Sequence, residues 1–305
     1  MDMIRIATRS SSLALIQTQT VVEAISKRNR KTEFEIIEIK SQGDIDKKKP
    51  LWKLSEAGFF TSAIEAALRE NQADIAVHSY KDLPIEAANG LVVGAVLDRR
   101  YCQDCLICKN KIKSLDELPK GGKVGTSSLR RKAQLLSFRP DLRCEPIRGN
   151  VHTRINQVEK GEFDATVLAY AGIERLELTD TVSFEFKPTE FLPSPAQGAL
   201  AVQARANDHE VLKLLSAIDD AKSRVSSDTE RLVLHKIKAG CHTPVGVYAK
   251  IEGEFLEIYA FVADENGKNV IRKKIKGQLK AAVKLADEMA SELLKSGAAE
   301  LLKNG

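Results

Sequence analysis

One motif occurs twice in this sequence, and it constrains the fold more than any other feature. In the first copy, residues 3–8 alternate apolar and polar side chains like a strand, Arg9 and three serines follow, and a helical apolar pattern begins at Leu13. In the second copy, Val124 leads through Gly125-Thr126-Ser127-Ser128-Leu129-Arg130-Arg131 into another helical pattern. Serines cap helices, and the free N–H groups at a helix start bind anions together with arginine. Each copy therefore predicts an anion-binding strand end, although an ordinary capped helix would have the same pattern.

A second pair of similar segments follows in the same order. Residues 74–77 (DIAV) resemble residues 164–168 (DATVL), and each follows a helix-like run that ends in polar residues. Residues 148–154, which come before the second of these segments, are predicted to form a further basic loop at a strand end. We infer two lobes of similar build, each a small α/β sheet with an anion-binding edge. A strand at residues 199–205 comes after the Pro/Gly-rich segment 192–198 and is predicted to return the chain to the first lobe.

The pattern changes from about residue 219, where a long helix, three strands and a last helix at residues 279–295 follow one another. Glu252-Gly253 and Asn266-Gly267 supply the turns between the strands. The predicted fold class is α/β, with two lobes and a small C-terminal α+β domain. The predicted domain bounds are 1–98 with 199–217 for lobe 1, 99–198 for lobe 2, and 218–305 for the C-terminal domain.

Composition excludes several classes of protein. Hydrophobic residues make up 43% and charged residues 29%, which is typical of a globular protein with real cores. No apolar stretch is long enough for a membrane helix, and the N-terminus has no secretion-signal pattern. Five cysteines, an odd number, favour a reducing cytosol over a disulfide scaffold. The net charge of +5 is modest and aromatic content is 5%, so nucleic-acid binding is a weak interpretation.

Polar residues follow a short apolar run at residues 73–78. Ser79, Lys81 and Asp82 come next, and Pro84 ends regular structure. In an open α/β sheet the carboxyl ends of the strands form the binding edge, so Lys81 and Asp82 are candidate site residues. A surface ion pair between the two is the alternative interpretation.

One cysteine stands on a turn rather than in an apolar run, in Gly240-Cys241-His242-Thr243-Pro244. An ionised thiol is a strong nucleophile, but a free cysteine is also a common buried structural residue. Cys102, Cys105 and Cys108 have the spacing of the first three ligands of an iron–sulfur run, yet the fourth cysteine is absent. We therefore predict no metal site, with a cluster or zinc site as the weaker alternative.

Taken together, these motifs resemble the porphobilinogen deaminase (hydroxymethylbilane synthase) family, in order and over nearly the whole chain. The residues that carry the resemblance are Ile6-Ala7-Thr8-Arg9, His78-Ser79-Tyr80-Lys81-Asp82-Leu83-Pro84, Gly125-Thr126-Ser127-Ser128-Leu129-Arg130-Arg131, Arg148-Gly149-Asn150-Val151-His152-Thr153-Arg154 and Gly240-Cys241. The resemblance implies two lobes like type II periplasmic binding proteins and a third domain. A loop cysteine of that domain, here Cys241, would hold a dipyrromethane cofactor by a thioether.

The resemblance also implies the reaction. Four molecules of porphobilinogen condense head to tail into the linear tetrapyrrole hydroxymethylbilane, with release of ammonia, in haem-type tetrapyrrole biosynthesis. A buried carboxylate at Asp82 would hydrogen-bond the pyrrole N–H groups, stabilise the cation left when ammonia departs, and help to move protons. The implied protein is a cytoplasmic monomer with no nucleic-acid or membrane partner.

The resemblance assigns the remaining site residues to two groups. The cofactor would be bound by Asp44, Ser79, Lys81, Asp82, Thr126, Ser127, Ser128, Arg130, Arg131 and Arg154. Of these, the arginines, Lys81 and the hydroxyl residues 126–128 would hold its acid side chains. The incoming substrate would be held by Arg9, Ser11, Arg148, Arg154, Arg175 and Gln197. Arginine suits a substrate that carries an acetate and a propionate, because the planar guanidinium group donates two parallel hydrogen bonds to one carboxylate.

This chain departs from the family pattern at two places. A loop that is Gly-Gly-Lys-Gly in many members is Ser55-Glu56-Ala57-Gly58 here, so Ala57 replaces a lysine, while Lys53 and Phe60 keep the neighbouring lysine and aromatic positions. Ala196 replaces the usual glycine before Gln197-Gly198. A non-enzymatic two-lobed anion-binding protein stays open as the alternative function, but it accounts for neither Cys241, nor Asp82, nor the third domain.

Overall fold

The computed structural model describes residues 3–39, 61–86, 88–240 and 243–303. The strands are β1 (Met3–Arg9), β2 (Glu33–Ile39), β3 (Ile75–Ser79), β4 (Leu91–Val96), β5 (Asp104–Cys108), β6 (Lys123–Gly125), β7 (Arg143–Glu145), β8 (Ala165–Ala169), β9 (Phe184–Glu185), β10 (Leu200–Arg205), β11 (Val245–Glu252), β12 (Phe255–Ala263) and β13 (Val270–Gln278). The helices are α1 (Ser12–Arg28), α2 (Ser62–Arg69), α3 (Leu129–Phe138), α4 (Val151–Glu159), α5 (Tyr170–Arg175), α6 (His209–Ser216), α7 (Ala221–Lys236), α8 (Ala282–Lys295) and α9 (Ala298–Lys303). Among the described helices, none combines the length and the apolar character that crossing a membrane requires.

The chain divides into two compact units. The first unit comprises the described residues up to 100 together with residues 198–224, and the second comprises residues 101–197 together with the described residues from 225 onwards. The three domains predicted from the sequence are a finer division than this one, and their bounds remain a prediction.

A five-stranded sheet in the order β2-β1-β3-β10-β4 forms the centre of the first unit. β1 pairs in parallel with β2 and β3, whereas β10 is antiparallel to both β3 and β4. Alternate residues of the strands pack into two apolar clusters, one with α1 and α6 and the other with α2. The prediction that residues 199–205 return the chain to the first lobe is confirmed, because β10 is an inner strand of this sheet.

The sheet of the second unit repeats this plan in the order β7-β6-β8-β5-β9. β6 is parallel to β7 and β8, and β5 is antiparallel to β8 and β9. In each sheet, three neighbouring strands are thus parallel, and the fourth strand in the order is antiparallel to them. The two lobes of similar build that the repeated motif predicts are confirmed.

The C-terminal module is a three-stranded antiparallel meander, β11-β12-β13, with α8 on one face. Its other face packs on lobe 2, where Phe261 and Ala263 of β12 join Ala133 and Leu192 in one buried cluster. The turn between β12 and β13 approaches α3 so closely that a Cβ on Gly267 would collide with the carbonyl oxygen of Ala133. Gly267 also has a φ of +65°, which glycine adopts at little cost. The predicted α/β fold with a small C-terminal α+β domain is confirmed.

Three local expectations change. Residues 148–154 were expected to form a basic loop, but Asn150 accepts the N–H of Thr153 and starts α4 at Val151. The short helices α5 and α9 were not predicted. The cluster or zinc alternative is wrong, because Cys105 and Cys108 point to opposite faces of β5 and pack into different apolar clusters. Within the described ranges no group of His, Cys, Asp and Glu could hold a metal ion.

Candidate anion-binding and catalytic site

In the first unit, the carboxyl ends of β1 and β3 lie at the same sheet edge because the two strands are parallel. Arg9 ends β1, and the hydroxyl of Ser11 caps α1 by accepting the N–H of Ala14 at 3.3 Å. Ser79 ends β3, and its Oγ accepts the side-chain amide of Gln17 at 2.9 Å. The structure therefore brings Ser11 and Ser79, predicted from separate motifs, to one edge.

Asp82 lies just beyond this edge, in a single 3₁₀ turn formed by Tyr80–Asp82. The N–H of Tyr80 donates to the carbonyl of Ala199 at 3.0 Å, which fixes the start of the turn on β10. Tyr80 is buried, Lys81 is half-buried, and Asp82 is exposed rather than buried. The side chain is exposed because it projects from a turn outside the sheet, so this carboxylate is available to a ligand.

In the second unit, the hydroxyl-rich segment after β6 makes a compact turn at the start of α3. Thr126 Oγ1 accepts the N–H of Ser128, Ser127 Oγ donates to the carbonyl of Ile147 at 2.6 Å, and Ser128 Oγ caps the helix on the N–H of Arg131. The first N–H groups of a helix have no partner inside it, so this turn presents backbone donors as well as hydroxyls. Such a helix start favours an anion.

Arg130 and Arg131 are both buried and share one carboxylate, Asp104. Oδ2 of Asp104 accepts from Arg130 Nη1 at 2.7 Å, while Oδ1 accepts from Arg131 Nη2 at 2.7 Å and from Nε at 3.1 Å. Burial alone would raise the pKa of Asp104, but the two guanidinium groups outweigh it and hold that pKa well below its usual range. Asp104 is therefore ionised, and its single charge neutralises only one of the two arginines.

Further arginines lie close to this pair. Burial, together with the charges of Arg131 and Arg148, lowers the pKa of Arg154 to about 10. Arg154 Nε donates to the carbonyl of Gly149 at 2.9 Å, and within the described residues the buried Nη2 of Arg148 has no hydrogen-bond partner. Burial also lowers the pKa of Arg175. An excess of positive charge with an unsatisfied donor is the electrostatic signature of an anion site.

Gln197 was expected to contact substrate, but it is almost wholly buried, with 1% exposure. Its side-chain amide donates to Oδ1 of Asp104 and to the carbonyl of Cys102, both at 2.9 Å. Ala196, next to it, has a φ of +60°, which explains why a glycine is suited to this position. The N–H of Ala196 donates to the buried Glu230 at 2.7 Å, and Glu230 also accepts the N–H of Ala249 at 2.8 Å.

Sequence reasoning missed Asp104 and Glu230. Both are carboxylates in otherwise buried positions, and a charged residue at the edge of the apolar run 105–107 was the available signal for Asp104. Several residues named from the sequence lie outside the described ranges: Asp44, Lys53, residues 55–58, Phe60, Cys241 and His242. The chain is described on both sides of Cys241: Ala239 is buried, and Thr243 Oγ1 donates to the carbonyl of Gly240 at 2.6 Å.

Known proteins match this chain along nearly its whole length. A family model described as porphobilinogen deaminase, dipyromethane cofactor binding domain, matches residues 4–213, and one described as porphobilinogen deaminase, C-terminal domain, matches residues 225–295. The chain is 42% identical over 298 residues to a probable porphobilinogen deaminase of Methanopyrus kandleri, covering 97% of this chain and 99% of that protein. It is 41% identical over 300 residues to the porphobilinogen deaminase of Brevibacillus brevis, covering 98% of this chain and 96% of that protein.

Among solved structures, the methionine binding protein MetQ is similar to this chain at 12% identity and a TM-score of 0.44, with 73% of this chain and 92% of that one covered. The two family models and the full-length relatives agree with the resemblance carried by the strand-end motifs. The chain belongs to the porphobilinogen deaminase family, the hydroxymethylbilane synthases, which are transferases with a dipyrromethane cofactor.

Proposed function

We propose that this chain makes hydroxymethylbilane from porphobilinogen with the residues described above in the roles given below. The observation that carries the proposal is the arginine cluster of the second unit. Arg130 and Arg131 share one buried carboxylate, that of Asp104. Arg154 is close enough to Arg131 and Arg148 for their charges to lower its pKa, and one guanidinium nitrogen of Arg148 is buried without a partner in the described chain. Such an excess of donors and charge suits a ligand with several carboxylates.

The donor set fits a dipyrromethane, since the pyrrole units of this family's substrate each carry an acetate and a propionate. Arg131 and Arg154 would pair with these carboxylates, and Thr126, Ser127 and Ser128 would add hydroxyl and backbone donors at the start of α3. When bound through the thioether of Cys241, the cofactor supplies the free pyrrole carbon on which the chain grows. The Ser127 hydroxyl, which now donates to Ile147, would have to rotate in order to donate to the ligand.

Lys81, Ser79 and Asp44 complete the proposed cofactor set, and the substrate set is divided between the units. Arg9 and Ser11 would hold a carboxylate of incoming porphobilinogen at the start of α1. Arg148, Arg154 and Arg175 would hold carboxylates on the second unit. Gln197 is reassigned: because its amide donates to Asp104 and to Cys102, we propose that it supports the arginines rather than touching substrate.

Asp82 is the proposed catalytic residue. When the aminomethyl group of porphobilinogen loses ammonia, positive charge develops on the pyrrole, and a carboxylate that accepts the pyrrole N–H stabilises it. The free α-carbon of the terminal pyrrole forms the new carbon–carbon bond with the methylene carbon that lost ammonia. That ring carbon must then lose its proton, and Asp82 can accept or relay it. The exposure of Asp82 beyond the sheet edge supports direct contact with the reacting rings.

We place the protein in the cytoplasm as a monomer whose ligand is porphobilinogen, with no nucleic-acid or membrane partner. The free thiols of Cys105, Cys108 and Cys144 in the described chain support a reducing compartment. The three-domain division stays part of this proposal, and the separate matches to residues 4–213 and 225–295 are consistent with its last boundary.

Incubation of the purified protein with porphobilinogen tests the proposal. We expect ammonia and linear tetrapyrrole to appear in a ratio of four to one, and the protein to turn over repeatedly. An anion-binding protein would instead bind porphobilinogen without releasing ammonia. Binding with no ammonia release, in protein that carries the cofactor, contradicts the proposed function.

A further inference from the structure

We infer that Asp104 is a positioning residue of the cofactor site, which fixes Arg130 and Arg131 so that the remaining donors of Arg131 face the cofactor's carboxylates. This inference rests on the proposed function and deepens it. Neither the strand-end motifs nor the family match assigns a role to this carboxylate.

The topology of the second unit explains how Asp104 reaches the site. β5 is antiparallel to β8, and Asp104, its first residue, pairs with Ala169, the last residue of β8. β8 is parallel to β6, so the start of β5 lies at the edge where β6 ends and α3 begins. An antiparallel strand therefore delivers a carboxylate to the binding edge of the parallel strands.

The contacts of Asp104 fix the orientation of Arg131. Asp104 takes the Nε–H and one Nη2–H, and the carbonyl of Val167 takes a Nη1–H at 3.0 Å. A guanidinium has five N–H donors in a rigid plane, so two remain for an anion, at fixed positions. Arg130 is held differently, since its Nη1 bridges Asp104 and the carbonyl of Leu192, both at 2.7 Å.

The net charge of the arginine cluster also supports a role for Asp104 in binding an anionic cofactor. With Arg154 close enough to feel the charge of Arg131, the cluster holds more positive than negative charge while it is buried. The two arginines on Asp104, together with Arg154, leave a surplus of positive charge that a polyanionic ligand would neutralise. Asp104 offsets part of this positive charge in the free protein, and Gln197 donates to the same Oδ1 of Asp104 that accepts from Arg131.

The first unit supplies a matched control. Asp74 is also buried and also accepts from two arginines, Arg5 at 2.8 Å and Arg205 at 3.4 Å. It precedes β3, at the opposite end of that strand from Ser79 and Asp82. Asp74→Asn thus removes the same kind of charge from the same kind of clamp without touching the proposed site.

The experiment compares Asp104→Asn, Asp74→Asn and the unaltered protein, produced in cells that make porphobilinogen. Thermal midpoint reports folding, and intact mass reports the share of folded molecules that carry two linked pyrrole units. We expect both variants to lower the midpoint, but only Asp104→Asn to slow cofactor incorporation per folded molecule, by about tenfold or more, because displaced donors bind poorly. Equal incorporation by the two folded variants overturns the inference.

If Asp104→Asn does not accumulate as folded protein, Asp104→Glu tests whether the position of this carboxylate matters for cofactor incorporation. It keeps the charge but moves the carboxylate by one methylene, so we expect near-normal folding and slower incorporation. Normal incorporation by folded Asp104→Glu also overturns the inference, because charge alone would then suffice. Absence of the two-pyrrole mass from the unaltered protein would count against the proposed function itself, which separates the two failures.

Discussion

His78 makes the stability of the first unit depend on pH in a way that can be calculated. It lies on β3, immediately before Ser79, and is 5% exposed. Burial lowers its pKa from 6.5 to about 4, opposed only by the neighbouring Gln203 side chain. Within the described chain, Nε2 of His78 and Oε1 of Gln203 are both buried without a hydrogen-bond partner, so the folded protein solvates a charged imidazole poorly.

The direction in which stability changes with pH depends on whether the unfolded or the folded chain binds the proton first. As pH falls through about 6.5 the unfolded chain takes up a proton, whereas the folded chain does not until about pH 4. Stability is therefore lost across this window as pH falls. Between pH 7 and pH 4.5 the expected loss from His78 is about 2.4 kcal/mol, or about 60-fold in the opening equilibrium.

Hydrogen exchange of peptides from β3, corrected for intrinsic rates, measures this loss inside the first unit. Protection from exchange should fall much less between pH 7 and pH 4.5 in His78→Gln than in the unaltered protein. The difference between the two proteins is the contribution of the His78 imidazole. His152→Gln, a change to an exposed imidazole of α4, serves as the control and should keep the full pH dependence. The same pH dependence in His78→Gln and the unaltered protein would refute the reasoning.

Three further substitutions test the site and its support. Asp82→Asn should lower turnover by about a hundredfold or more while the cofactor still attaches, and it should leave stability nearly unchanged because the side chain is exposed; near-normal turnover removes Asp82 from its role. Arg131→Ala should impair cofactor assembly. It should also lower the free energy of unfolding in urea by about 3–5 kcal/mol, because it breaks the buried ion pair with Asp104. Holoprotein that forms at the normal rate would contradict the assignment of Arg131 to the cofactor site. Gly267→Ala should destabilise the protein by more than Gly253→Ala, since both glycines have positive φ but only Gly267 meets backbone atoms; equal thermal midpoints for the two variants would show that the close packing of this turn contributes nothing.

Local patterns predicted most of the architecture. The repeated strand, hydroxyl and arginine motif specified two lobes because each copy needs the same local elements. The largely apolar run 199–205, which follows the Pro/Gly-rich segment 192–198, was predicted as a strand and forms β10. One helix start was misread although its signal was present: Asn150 is an N-cap, but Gly149 and the basic residues around it suggested a loop.

The arrangement inside the site could not be predicted in the same way. Asp104, Arg131 and Gln197 come together from a strand, a helix and a connection, and no local pattern encodes such long-range pairing. The resemblance implied that Gln197 contacts substrate, whereas this network buries its side chain. Strand-end motifs therefore predicted candidate residues for the site, but not which of them hold the others in position.

The mass of freshly purified protein, made in cells that supply porphobilinogen, tests whether Cys241 carries the dipyrromethane cofactor. We expect an excess over the sequence mass equal to two linked pyrrole units, and peptide mapping should place that excess on Cys241. An unmodified Cys241 in such a preparation, or the same excess found on Cys102, Cys105, Cys108 or Cys144 instead, would contradict it.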